Sequence, residues 1–119
     1  MFPIDKSYNL IKFQFKEITN FMKLEREKCV EKKLYCIGYS PKLNKFVLEC
    51  VVPCSTWYNR YYEISEEEYN TFDSNPNKLN AFVDYLHKKN YQSNRFLFSD
   101  KKEENSKRQS ELREIAINK

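Results

Sequence analysis

Apolar residues recur at helical spacing over the first third of the chain. Beyond Ser7, a suitable N-cap, Ile11, Phe15, Ile18, Met22 and Cys29 share one face, flanked by Leu10, Phe21 and Leu24. Glu17, Lys23, Arg26, Lys28 and Lys32 fill much of the remainder, so the spacing predicts one long amphipathic helix over about residues 7–33. Leu10-Ile11-Lys12-Phe13-Gln14-Phe15 also alternates as a strand does, and in that competing reading the first turns are extended. From Leu34 the period changes. Leu34-Tyr35-Cys36-Ile37-Gly38-Tyr39 and Phe46-Val47-Leu48-Glu49-Cys50-Val51-Val52 are rich in strand formers, and the connection between them makes a hairpin. Pro53 ends the second strand for want of an amide donor, and residues 57–64 form a third.

Ser65-Glu66-Glu67-Glu68 is a capping box, in which the Ser65 hydroxyl and the Glu68 carboxylate each take up an amide of the first turn. Three carboxylates there also suit the positive end of the helix dipole, which explains them without catalysis or metal binding. A short helix follows, broken at Asp73-Ser74-Asn75-Pro76. Leu79, Phe82, Val83 and Leu86 then mark a second helix to about Asn90. Arg95-Phe96-Leu97-Phe98 is a possible last strand, and residues 101–109 hold no large apolar side chain. The expectation is an α+β fold: a small antiparallel sheet of three to four strands, packed by the long N-terminal helix and the helical pair. Residues 1–99 form that domain, and 100–119 are a charged tail or a weakly docked helix.

The composition excludes more than it establishes. Among 119 residues there is one glycine, Gly38, so no glycine-rich phosphate cradle or nucleophile elbow can be built. The net charge of +4 is spread thinly, with acidic neighbours beside most basic residues, as in Glu25-Arg26-Glu27-Lys28. That pattern marks a solvated face rather than a nucleic-acid stripe. No apolar stretch approaches the ~20 residues of a membrane span, and the first residues lack the features of a signal peptide, so a cytoplasmic protein is expected. Cys29, Cys36, Cys50 and Cys54 do not form paired Cys-x-x-Cys knuckles, and the single His87 is remote in sequence. Free, mostly buried thiols are the expectation, with no metal, no cofactor and no Cys–His nucleophile.

The unusual segment runs from Cys54 to Ile64. Alternation sets Tyr58, Arg60, Tyr62 and Ile64 on one sheet face, and Trp57, Asn59, Tyr61 and Glu63 on the other with Val47 and Val51. The rings of Trp57 and Tyr61 are then either covered by the first helix or open to a partner. Trp, Tyr and Arg are the side chains that dominate interface energetics. They also stack on single-stranded bases.

Residues 46–52, the segment Trp57-Tyr58-Asn59-Arg60-Tyr61-Tyr62, the acidic helix start Ile64-Ser65-Glu66-Glu67-Glu68-Tyr69 and the stripe of residues 79–86 resemble small bacterial immunity-like proteins. These are encoded beside polymorphic or contact-dependent growth-inhibition toxins. The resemblance covers about residues 34–90. Where that family often has glycines after the core strand, this chain has Pro53-Cys54-Ser55-Thr56, and it is mildly basic where inhibitors of basic nucleases are commonly acidic. The resemblance implies a non-catalytic protein that neutralises a cognate toxin domain by stoichiometric binding. Trp57, Tyr58, Asn59, Arg60, Tyr61 and Glu63 are the expected contact residues. The alternatives are a module binding RNA or single-stranded nucleic acid, and a mobile-element inhibitor of a host protein.

Overall fold

The computed structural model describes residues 22–89 and 93–117. Five strands, β1 (Glu25–Val30), β2 (Tyr35–Ser40), β3 (Lys45–Val52), β4 (Tyr58–Ile64) and β5 (Phe96–Ser99), pair in sequence order as one antiparallel sheet. Among the described residues three helices accompany them: α1 (Glu66–Thr71), α2 (Pro76–Lys89) and α3 (Lys107–Ile117). Short 3-10 turns occupy Glu31–Lys33 and Lys102–Glu104.

This corrects the expected sheet of three to four strands under a long N-terminal helix. Residues 22–33 of the helix predicted over about 7–33 hold irregular backbone, the edge strand β1 and a 3-10 turn, while its residues 7–21 lie outside the described residues. The physical reason is a bulge. Glu25 opposes Tyr39 and Lys28 opposes Ile37, so β1 carries an extra residue at this point, where Arg26 adopts a φ of 52°. An odd spacing in an unbroken strand would place Met22 and Cys29 on opposite faces. Met22, on the irregular backbone before β1, packs with Val47, and Cys29 packs with Val51 on the same face of β3, so the seven-residue interval imitates helical periodicity.

Alternation along the strands then builds two cores. One face places Tyr35, Ile37, Leu48, Cys50, Tyr62 and Ile64 against Tyr69, Phe72, Leu79, Val83 and Leu86 of the α1–α2 region. The Ser65 capping box starts α1 as predicted, with Ser65 Oγ 3.0 Å from the Glu68 amide and Glu68 Oε1 2.8 Å from the Ser65 amide. The opposite face places Val47, Tyr61 and Phe98 with Met22 and Ala116, and α3 adds Leu112 and Ile117. The charged C-terminal segment is thus a packed layer of the fold. Gly38 is closely approached by the start of β1 and the residue before it: a Cβ there would lie 2.9 Å from both Glu25 O and Leu24 Cβ.

Candidate protein-contact surface

Strand β4 separates the six expected contact residues by depth. Tyr61 is wholly buried and Asn59 and Arg60 are buried, whereas Trp57 and Tyr58 are half-buried and Glu63 is exposed. Trp57 and Tyr58 adjoin residues 53–56, every one of them exposed. Glu63 stands about 20 Å further along the strand, given its rise of roughly 3.3 Å per residue, and pairs with Lys45 at 3.3 Å. It does not rim the Trp57 surface. Of the six, Trp57 and Tyr58 follow directly on the exposed turn before β4, Trp57 packing against Cys29, Cys36 and Val51 and Tyr58 bonding to Glu104 and Arg60.

The base of that turn is fixed from the C-terminal side. Arg60 Nε and Nη2 donate to Glu104 Oε1 and Oε2 at 2.8 and 2.7 Å. Tyr58 OH donates to the same carboxylate at 2.6 Å and accepts from Arg60 Nη2 at 2.9 Å. Burial and the carboxylate beside it push the Tyr58 hydroxyl up to about 12. A second tie joins Asp100 to Arg113 Nε at 3.1 Å, while the Asp100 amide donates to Asn59 O at 3.0 Å. Asn105 completes the join: its side chain accepts from the Ser99 amide at 2.7 Å and donates to Ser99 O at 2.8 Å, occupying polar groups that an edge strand would otherwise leave open.

These carboxylates respond to acid in opposite senses. Burial raises Glu104, but the hydrogen bonds from Arg60 and Tyr58 outweigh it and hold the group below its usual range. Glu68 behaves alike, with Arg95 and Ser65 overcoming burial. Stability from both is present above the unfolded carboxylate value and lost as pH falls through the lowered folded one. Asp100 is raised by burial despite Arg113, so its contribution is fullest at low pH and fades as pH rises through the raised value. We expect melting temperature to fall between about pH 5 and pH 3, and Glu104→Gln to flatten that slope. Melts across this range on both proteins test it; parallel curves would remove Glu104 from the acid response.

Sulfur chemistry departs from the expectation of free thiols. Cys29 and Cys36 oppose one another across β1 and β2 and are joined as a disulfide, their Cα atoms 4.0 Å apart. The helical assignment of Cys29 hid this, since opposition follows only from strand register. Cys50 and Cys54 are free, the former buried and the latter exposed. The structure also brings together a pair that sequence distance concealed, Cys50 Sγ and His87 Nε2 at 3.8 Å. Burial pushes the Cys50 thiol up to about 12, Arg60 lowering it and Glu49 raising it, so it stays protonated at neutral pH and is a poor nucleophile.

An open hollow of about 300 Å³ lies at the far end of β4, lined by Glu63, Ile64, Ser65, Glu68, Asn94 and Arg95. Its charged groups are already paired, Glu63 with Lys45 outside the hollow and Glu68 with Arg95 within it. Arg95 Nη1 donates to both Glu68 oxygens at 2.8 and 3.0 Å, and its guanidinium lies 4.8 Å from the centre of the Phe82 ring.

No helix among the described residues is long and apolar enough to cross a membrane. No family model, curated protein or solved structure matches the chain.

Proposed function

We propose that this chain is a non-catalytic binding protein of the bacterial immunity type, which neutralises a cognate toxin domain in the cytoplasm by stoichiometric contact. The observation that supports this reading is the surface of residues 53–58. Four exposed residues lead into the half-buried rings of Trp57 and Tyr58, whose backbone is rooted one residue later by buried Asn59 and Arg60. An aromatic anchor held in place before binding loses little side-chain freedom when a partner covers it. Pro53 stiffens the approach to the rings. The toxin would be blocked by occlusion, with Trp57 as the central anchor and the exposed residues 53–56 around it.

The test is to look for a toxin-domain gene next to this one and to titrate its product against wild type and Trp57→Ala; a neighbourhood with no such gene would count against the reading. We expect the substitution to weaken binding by at least about 2 kcal/mol. Its cost to folding should stay below the ~3–5 kcal/mol of a fully buried large ring. Unchanged affinity with collapsed stability would sink the surface assignment. Tight binding of single-stranded RNA that falls steeply with salt would instead place the protein in the nucleic-acid class.

A further inference from the structure

Strand geometry converges three metal-ligating side chains at the β1 edge of the sheet. Glu27 lies in the bulge between Glu25 and Lys28, two residues before Cys29 on β1. Cys36 stands directly opposite Cys29 on β2. One carboxylate oxygen of Glu27 and the two sulfurs all lie within 4.8 Å of one another. The cysteines are buried and Glu27 is half-buried, so the sulfurs form the floor of the group and the carboxylate its rim. Leu34, Val51 and Trp57 pack around the sulfurs as an apolar wall.

We propose that Glu27, Cys29 and Cys36, with the Cys29–Cys36 bond reduced, form a binding site for a thiophilic divalent cation of the zinc class. The chemistry balances in two steps. A dithiol reductant supplies two electrons and two protons, the S–S bond breaks into two thiols, and the reductant leaves as its own disulfide. The cation then displaces both thiol protons and takes two thiolates and one carboxylate oxygen, with water in the fourth position. Tetrahedral bonds of about 2.3 Å to sulfur set the two thiolates roughly 3.7 Å apart, a separation that cross-strand neighbours reach by side-chain rotation. Two soft thiolates select zinc-like ions over magnesium or calcium, which prefer oxygen. The apolar wall keeps competing water from the sulfurs, and Glu27 provides the entry. A reducing compartment holds the pair in its metal-competent form, whereas an oxidising one closes the site as the disulfide. The site shares Trp57 with the proposed partner surface, as part of the wall and not as a ligand, and the binding of a cation by its three ligands does not depend on that function.

Cobalt(II) is the probe. The full chain, reduced with a phosphine under anaerobic conditions, should bind one equivalent, with thiolate-to-cobalt charge transfer and the visible bands of a tetrahedral ion. Zinc should displace it. The oxidised chain should show neither signal. Cys29→Ser should abolish the charge-transfer band. Glu27→Gln should weaken binding by at least the roughly tenfold that loss of a mere outer-shell partner costs. Cys54→Ser should change nothing. Charge transfer that survives Cys29→Ser, or that requires Cys54, would overturn the proposal. So would a reduced chain that retains its sheet by circular dichroism yet binds no cobalt, or one that unfolds on reduction.

Discussion

Glu104→Ala should cost the fold about 3–5 kcal/mol, the penalty of removing one partner from a buried ion pair. The Glu104 carboxylate takes three hydrogen bonds, two from Arg60 and one from Tyr58, and the side chains of the pair are only 9% and 6% exposed. Ala leaves a guanidinium in that setting with its bidentate acceptor gone. Glu104→Gln keeps a neutral acceptor and should cost less. Replacing both partners, Arg60→Met with Glu104→Leu, should return most of the lost stability, because the desolvation of both charges disappears with them. Urea unfolding followed by Trp57 fluorescence measures all three. A loss below about 1 kcal/mol for Glu104→Ala would mean the pair is solvated like an ordinary surface bridge.

Tyr61→Ala should be of similar size, about 3–5 kcal/mol, for a different reason. The ring is fully buried, its centre lies 4.8 Å from that of Phe98, and it belongs to the cluster that holds α3 against the sheet. Truncation removes its transfer free energy and leaves a cavity between β4, β5 and α3. Tyr61→Phe should cost under about 1 kcal/mol, because the hydroxyl reaches Asp100 only at 3.4 Å. Denaturant melts of both variants are the measurement. If Tyr61→Ala left stability intact and only weakened partner binding, the ring would belong to the contact surface and the packing described above would be wrong.

The contrast between Tyr61 and Trp57 shows what local pattern can and cannot carry. Alternation along β4 assigned both rings to the same face, and they do share it. How deep each lies depends on what arrives from elsewhere: α3 and Met22 cover Tyr61, whereas Trp57 sits near the strand's open end. The middle strands were legible because β2, β3 and β4 are short runs rich in aromatic, branched and other apolar residues, and the Ser65 box marked α1 by its own chemistry. Strand β1 was illegible because its charges resemble a solvated helix. Arg26 and Lys28 instead lie over aromatic rings, Arg26 5.7 Å from the centre of Phe46 and Lys28 4.2 Å from that of Tyr69.

The sequence also carries a helix-start signal near the C-terminus. Ser106-Lys107-Arg108-Gln109 is a second capping box, with Ser106 Oγ 3.2 Å from the Gln109 amide and Gln109 Oε1 2.7 Å from the Ser106 amide. It announces α3 despite the scarcity of apolar residues before Leu112. The Arg60–Glu104 pair had no such local mark, because its partners are 44 residues apart and meet only when β5 folds back beside β4.

Pairing of each strand with its neighbour in sequence bears on the order of assembly. Hairpins β1–β2, β2–β3 and β3–β4 close over short connections, so their loop-closure entropy is small and they can zip early. Strand β5 must wait for α1 and α2 to fill the long connection after β4, and the Arg60–Glu104 and Arg113–Asp100 ties form only once it has docked. Interactions made after the folding barrier govern how fast the native state opens, not how fast it forms. The C-terminal clasp is therefore a kinetic lock: loosening it shortens the lifetime of the folded chain while leaving the rate of hairpin assembly nearly untouched.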